Sequence, residues 1–124
     1  MDFSLYDNLQ SPVIAFDSDL KLAYFNFVCS SYFHLPPRKL KASPLLGELI
    51  KTEGEDIIKL ATEALQDQSV KFTKEIIASM GENEQNSAVI LKFIPMGNYL
   101  VTHVQDFSIE RTLHDKYKAQ ILEL

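Results

Sequence analysis

The sequence predicts an α+β domain: a five-stranded antiparallel sheet with short helices on one face and flanking N- and C-terminal helices. Three observations lead there. Two apolar runs, Val13 to Phe16 and Leu20 to Phe25, flank Asp17-Ser18-Asp19, whose side chains hydrogen-bond their own backbone in turns. A second pair, Ala88 to Ile94 and the segment from Tyr99 onward, flanks the tight-turn dipeptide Gly97-Asn98. Helical spacing lies between the two hairpins and returns after the last strand.

In chain order, Phe3, Leu5, Tyr6 and Leu9 have the spacing of a short amphipathic helix stopped by Ser11-Pro12. After the first hairpin, Asn26 is placed to cap a helix over Phe27 to Leu35 that Pro36-Pro37 ends. Ser43 or Pro44 opens a further turn with Leu45, Leu46, Leu49 and Ile50 as its apolar set. Thr52 and Glu55 have the spacing of a capping box, followed by a helical face of Ile57, Ile58, Ala61, Ala64 and Leu65 that ends near Gln66. Val70, Phe72 and Ile76 alternate with polar residues as in a half-exposed strand. Gly81 to Asn86 is a polar loop, and Ala88 to Ile94 is apolar on both faces.

The final strand places Leu100 and Val104 on one face and Tyr99, Val101, His103 and Gln105 on the other. At Asp106-Phe107-Ser108 the period changes: Ser108 suits a helix N-cap, and Ile109, Leu113, Tyr117, Ile121 and Leu124 recur at helical spacing. The two hairpins join most simply with the first strand beside the last. The face bearing Val101 then needs a cover from the N-terminal helix, the C-terminal helix or a second subunit.

Composition limits the function. A chain of 124 residues with 46% hydrophobic content is one domain with one core. A net charge of −5 argues against nucleic acid and anionic membrane as partners. No apolar run approaches the roughly 18 residues a membrane span needs, and the opening MDFSLYDNLQ is unlike a signal peptide. Cys29 is the only cysteine, which fits a cytoplasmic location. No P-loop, GxGxxG or zinc spacing occurs.

The stretch LYDNLQSPVIAFDSDLKLAYFN, the helix between Asn26 and Phe33, and VQDFSIER at the exit, taken in this order, resemble a PAS domain, the sensory module of many bacterial signalling proteins. That family often closes its last strand with Asp-hydrophobic-Thr; here Asp106-Phe107-Ser108 keeps the hydroxyl. The resemblance implies a cap helix over residues 1–11, a PAS-like domain over 12–107, and a signalling helix over 108–124 leading to an attached output domain. It also implies a homodimer formed through the flanking helices, with Ile109, Leu113, Tyr117, Ile121 and Leu124 on the dimer helix. The output implied first is a histidine kinase. The alternatives are a ligand-free interaction module of a nucleotide cyclase, diguanylate cyclase or transcription regulator, and then a small pocket enzyme using Asp17 and Tyr24.

Cofactor classes separate on particular residues. The helix before the third strand lacks the axial histidine of haem-binding members, and His34, His103 and His114 read as surface or packing residues. Cys29 stands in FVCSSYF rather than the Asn-Cys-Arg context of light-sensing flavin domains, so it reads as a small buried hydrophobe. The basic arrangement of citrate sensors is not recognisable. No cofactor is expected, and the reading leaves room for an unidentified small ligand. Its pocket would be lined by Phe16, Tyr24, Phe33, Phe72, Phe93 and Val104, which otherwise simply fill the core. For transmission the candidates are Asp106, Ser108 and Arg111, with Asp106 either pairing with Arg111 or accepting a hydrogen bond at the helix start.

Overall fold

The structure, a computed structural model, describes residues 3–54, 56–108 and 118. Its seven-stranded antiparallel sheet runs in the order β2-β1-β7-β6-β5-β3, with β4 pairing an outlying part of β6. The strands are β1 (Val13–Phe16), β2 (Leu22–Phe25), β3 (Ile50–Thr52), β4 (Lys71–Phe72), β5 (Ile76–Met80), β6 (Asn86–Met96) and β7 (Tyr99–Asp106). Four helices, α1 (Cys29–Phe33), α2 (Pro37–Lys41), α3 (Leu46–Leu49) and α4 (Ile57–Asp67), complete the described elements with a single 3₁₀ turn at Ser4–Tyr6. The α+β class and the pairing of the first strand with the last, Val13 opposite His103 and Phe16 opposite Leu100, are as the sequence implies. The strand count rises from five to seven because β3 forms and the expected strand from Val70 to Ile76 is broken.

The first hairpin is closed by Asp17, whose Oδ1 accepts from the Asp19 and Lys21 amides at 2.9 and 3.0 Å. Leu20 belongs to this turn rather than to the returning strand: its φ is 60° and its N–H bonds Asp17 O. Strand β1 is buried throughout because β2 and β7 flank it.

Asn26 does not cap α1. Its Oδ1 accepts from Val13 N and from Cys29 Sγ, and its Nδ2 donates to Tyr6 O and Ser11 O. It therefore clamps the N-terminal segment to the edge of β1, and α1 starts later with no side-chain cap. The helix ends where His34 turns left-handed, at φ 53°. Pro36-Pro37 does not simply stop helix here, because Pro37 opens α2 at its first turn, where its missing N–H is not needed.

Of the expected Thr52–Glu55 capping box, Glu55 lies outside the described residues, and Thr52 does not cap α4. Thr52 is taken up in β3 opposite Ala78, and Asp56 caps α4 by accepting from Lys59 N at 3.0 Å. Helix α4 otherwise buries Ile57, Ala61 and Ala64, as its spacing predicts.

The break between β4 and β5 is a bulge. Phe72 pairs with Lys92 and Ile76 with Val89, so four residue steps face three on β6. Buried Thr73 fills the gap: its N–H donates to Leu91 O at 3.0 Å and its Oγ1 accepts from Leu91 N at 2.9 Å. An extra residue reverses the side-chain alternation. Ile76 therefore faces the helices, while Phe72 stands on the opposite face, 60% exposed, with the Lys92 ammonium 5.5 Å from its ring centre.

The main core lies between sheet and helices around Phe16, Phe33, Phe93, Leu46, Leu49 and Leu91, all buried. Burying each such side chain contributes roughly 1.5–3 kcal/mol. On the outer face Val13, Ala15 and Val101 are covered by Phe3 and Tyr6, so the N-terminal segment packs on its own sheet. Phe3 stacks on Tyr24 with ring centres 5.0 Å apart. The expected amphipathic helix there is not formed beyond Ser4–Tyr6, and Leu5 and Leu9 stay exposed. Among the described residues no helix is long and apolar enough to cross a membrane.

Gly81, after β5, joins this layer to α1. Its φ is +59°, its N–H bonds Leu49 O at 2.7 Å, and a Cβ there would stand 2.5 Å from Phe33 O. Gly97 has a similar φ of +65° but open space around it. Gly81→Ala should therefore destabilise the fold by about 2–3 kcal/mol, against about 1 kcal/mol for Gly97→Ala. Urea unfolding of both variants checks this, and equal losses would contradict the packing described.

Candidate functional site

A hydrogen-bonded polar group at the end of β7 joins α1, β6 and β7. Tyr32, on α1 beside buried Phe33, donates its hydroxyl hydrogen to Asp106 Oδ2 at 2.6 Å. Asp106 Oδ1 accepts from Ser108 N at 2.8 Å. The Ser108 hydroxyl in turn accepts from Ala88 N at 3.0 Å, and Phe107 N donates to Ala88 O at 2.7 Å. Ser108 Oγ thus extends the ladder of β6 one step beyond the last strand pair, Val89 with Asp106. Asp106 and Ser108 together tie four points of the fold: α1, β6, the end of β7 and the departing chain.

Burial pushes the Asp106 carboxyl up, but hydrogen bonds from Tyr32, Ser108 and Ser87 outweigh it and hold the group below its ordinary 3.8. Burial, then the bond to Asp106, holds the Tyr32 phenol above its usual range. The carboxylate is therefore ionised and the phenol protonated at neutral pH, as donor and acceptor require. Of the residues expected at this junction, Asp106 and Ser108 are brought together, and Asp106 does accept a bond from the backbone after the strand. Arg111 lies outside the described residues, as do Ile109, Leu113, Tyr117, Ile121 and Leu124 of the expected dimer helix.

The six residues expected to line one pocket separate. Phe16, Phe33, Phe93 and Val104 are in the main core, each at most 1% exposed. Tyr24 and Phe72 are not with them. Tyr24 is on the outer face with its hydroxyl on Asp7, and Phe72 is turned outward by the bulge at Thr73. The core side chains pack on one another, and a cleft of about 700 Å³ opens instead on the surface, beside α2 and α3.

Other candidates are engaged elsewhere. Asp17 serves its own turn and Tyr24 serves Asp7, so each has a structural partner outside any shared site. Cys29 is buried, donates to Asn26 Oδ1, and burial raises its thiol to about 11, as a packing cysteine should behave. His34 ends α1 exposed, and His103 meets the Tyr6 ring edge-on at 5.5 Å. Burial and then Lys92 lower the His103 pKa. His114 lies outside the described residues.

The sequence does not single out Tyr32. The available signal is weak: a tyrosine beside a buried phenylalanine on a short helix needs a partner for its hydroxyl, but nothing local points 74 residues ahead to Asp106.

Solved structures share this fold. The PAS domain of nitrogen regulation protein NR(II) from Vibrio parahaemolyticus superposes with a TM-score of 0.68 at 14% identity, over 86% of this chain and 99% of that one. A domain of a sensory box sensor histidine kinase/response regulator from Geobacter sulfurreducens gives 0.66 at 13% identity, over 83% and 89%. The PAS domain from Bordetella pertussis BvgS gives 0.55 at 14% identity, over 94% and 90%. No protein-family model matches the sequence, and no curated protein does. The chain has the PAS fold.

Asp106, held below its ordinary 3.8, contributes its full share of stability above that value and loses it as pH falls through the folded-state value. Asp106→Asn should therefore be less stable than the parent by about 1–2 kcal/mol near neutral pH, and the gap should narrow toward about pH 3. Denaturant unfolding at both values measures it; a gap independent of pH would contradict an ionised, hydrogen-bonded Asp106.

Proposed function

We propose that this chain is a cytoplasmic PAS-type sensor and dimerisation module that passes a ligand- or partner-induced change through the segment after β7 to an attached output domain, in the first instance a histidine kinase. The observation that carries this reading is the Asp106 junction. A displacement of α1 moves Tyr32, and Tyr32 shares its acceptor with the backbone of Ser108, so the direction in which the chain leaves β7 follows α1. The fold supports the same reading, since the NR(II) and Geobacter structures are domains of signalling proteins.

Pairing with a second copy is supported by the outer face, where Phe72 and Ile77 remain 60% and 50% exposed. A second reading is a ligand-free interaction module serving a cyclase, diguanylate cyclase or transcription regulator. It is favoured by the core itself, where Phe16, Phe33 and Phe93 occupy the space between sheet and helices.

Native mass spectrometry of the purified chain, before and after denaturation, tests both readings. A dimer carrying a reproducible small mass that denaturation releases is the result expected of a ligand-gated sensor. A dimer of bare chains favours the interaction module, and a monomer at high protein concentration contradicts dimerisation in either.

A further inference from the structure

The surface cleft of about 700 Å³ lies between α2, α3 and the end of β5, within the size range of small-molecule sites. Leu35, Pro44, Leu45 and Leu49 give it an apolar lining, and Leu45 is 40% exposed there. Three lysines and two glutamates also line it. Lys39 and Glu82 neutralise each other at 3.0 Å. Among the described residues Lys21 and Lys51 enter no ion pair, and Glu48 is the remaining acidic residue of the lining, so the lining carries one formal positive charge on a chain of net charge −5.

The backbone around the cleft is held in an uncommon state. Ser43 and Gly81, both lining it, have φ of 58° and 59°. Leu20 and His34, at 60° and 53°, directly precede the lining residues Lys21 and Leu35. Left-handed conformation costs about 1–3 kcal/mol at a residue with a side chain and gathers at ligand clamps and switch regions. Three such residues bordering one cleft fix its shape before any ligand arrives, which lowers the ordering that binding requires.

We propose that this cleft binds a small organic anion with an apolar body: the acidic head at the Lys21 and Lys51 ammonium groups, the body on Leu35, Leu45 and Leu49. One wall leads to the Asp106 junction. Next to Gly81, Glu82 N donates to Phe33 O at 2.8 Å and Asn83 Nδ2 donates to Tyr32 O at 3.2 Å. Tyr32 carries the hydroxyl that bonds Asp106. Binding in the cleft stands on its own observations; transmission from it rests on the function proposed above.

Octanoate serves as the probe, with 1-octanol as its uncharged counterpart, in an NMR titration of the amide signals of the whole chain at low salt. Saturable shifts at Lys21, Ser43 and Gly81 are expected with octanoate, with affinity lowered roughly tenfold or more in Lys21→Gln/Lys51→Gln and unchanged in Lys74→Gln. Octanol should bind more weakly than octanoate. No saturable shift, shifts centred on the outer face near Phe72, or equal octanoate affinity in the double variant would overturn the site while leaving the junction untouched. Saturation at the cleft with Phe107 and Ser108 signals unmoved would keep the site and overturn its coupling to the exit.

Discussion

Tyr32 and Asp106 stand 74 positions apart in the chain and meet at 2.6 Å. The geometry of the exit depends on that bond. Without it, Asp106 would still accept from Ser108 N, and the end of β7 would be fixed only to β6. With it, the same carboxylate also reports the position of a helix from the other layer. A charged acceptor with several short donors in a partly buried place is stronger than a neutral one, so the tie is stiff where the strand ends.

The rest of the architecture makes this stiffness useful. Asn26 secures the start of the first hairpin through four side-chain hydrogen bonds, and the hairpin in turn pairs with β7. Gly81 brings the β5–β6 loop into backbone contact with the C-terminal end of α1. The α2–α3 side is thus connected to Tyr32 through the β5–β6 loop, whereas the interior between sheet and helices is occupied by aromatic and aliphatic side chains. Close-packed interiors transmit displacement rather than absorb it. On the proposed reading, input at the surface and output at Asp106 would need no ligand inside the core.

Much of the fold is legible in the sequence because its devices are local. Asp17 makes its turn with its own neighbours, Gly97 opens its hairpin at positive φ, and α4 declares its buried face by spacing. Phe16, Phe33 and Phe93 are legible as interior side chains for the same reason. What is hidden depends on distant partners. Asn26 looks like a cap but finds Val13, Tyr6 and Ser11 in reach. Pro37 looks like a stop but occupies a first helical turn. Phe72 looks inward by alternation until the extra residue at Thr73 reverses it. At the junction, Asp106 and Ser108 are visible as a pair, while Tyr32 becomes visible only when α1 is laid against the end of the sheet.

The dependence of the exit on α1 is tested most directly by amide hydrogen exchange in Tyr32→Phe, which keeps the ring and removes the hydroxyl. Exchange at Phe107 and Ser108 should quicken by roughly tenfold or more, the loss of about 1.4 kcal/mol of local protection, while Leu91 in the middle of β6 keeps its parent rate. Unchanged exchange at Phe107 and Ser108 would mean that β6 alone holds the exit and that Tyr32 has no part in directing the chain beyond it.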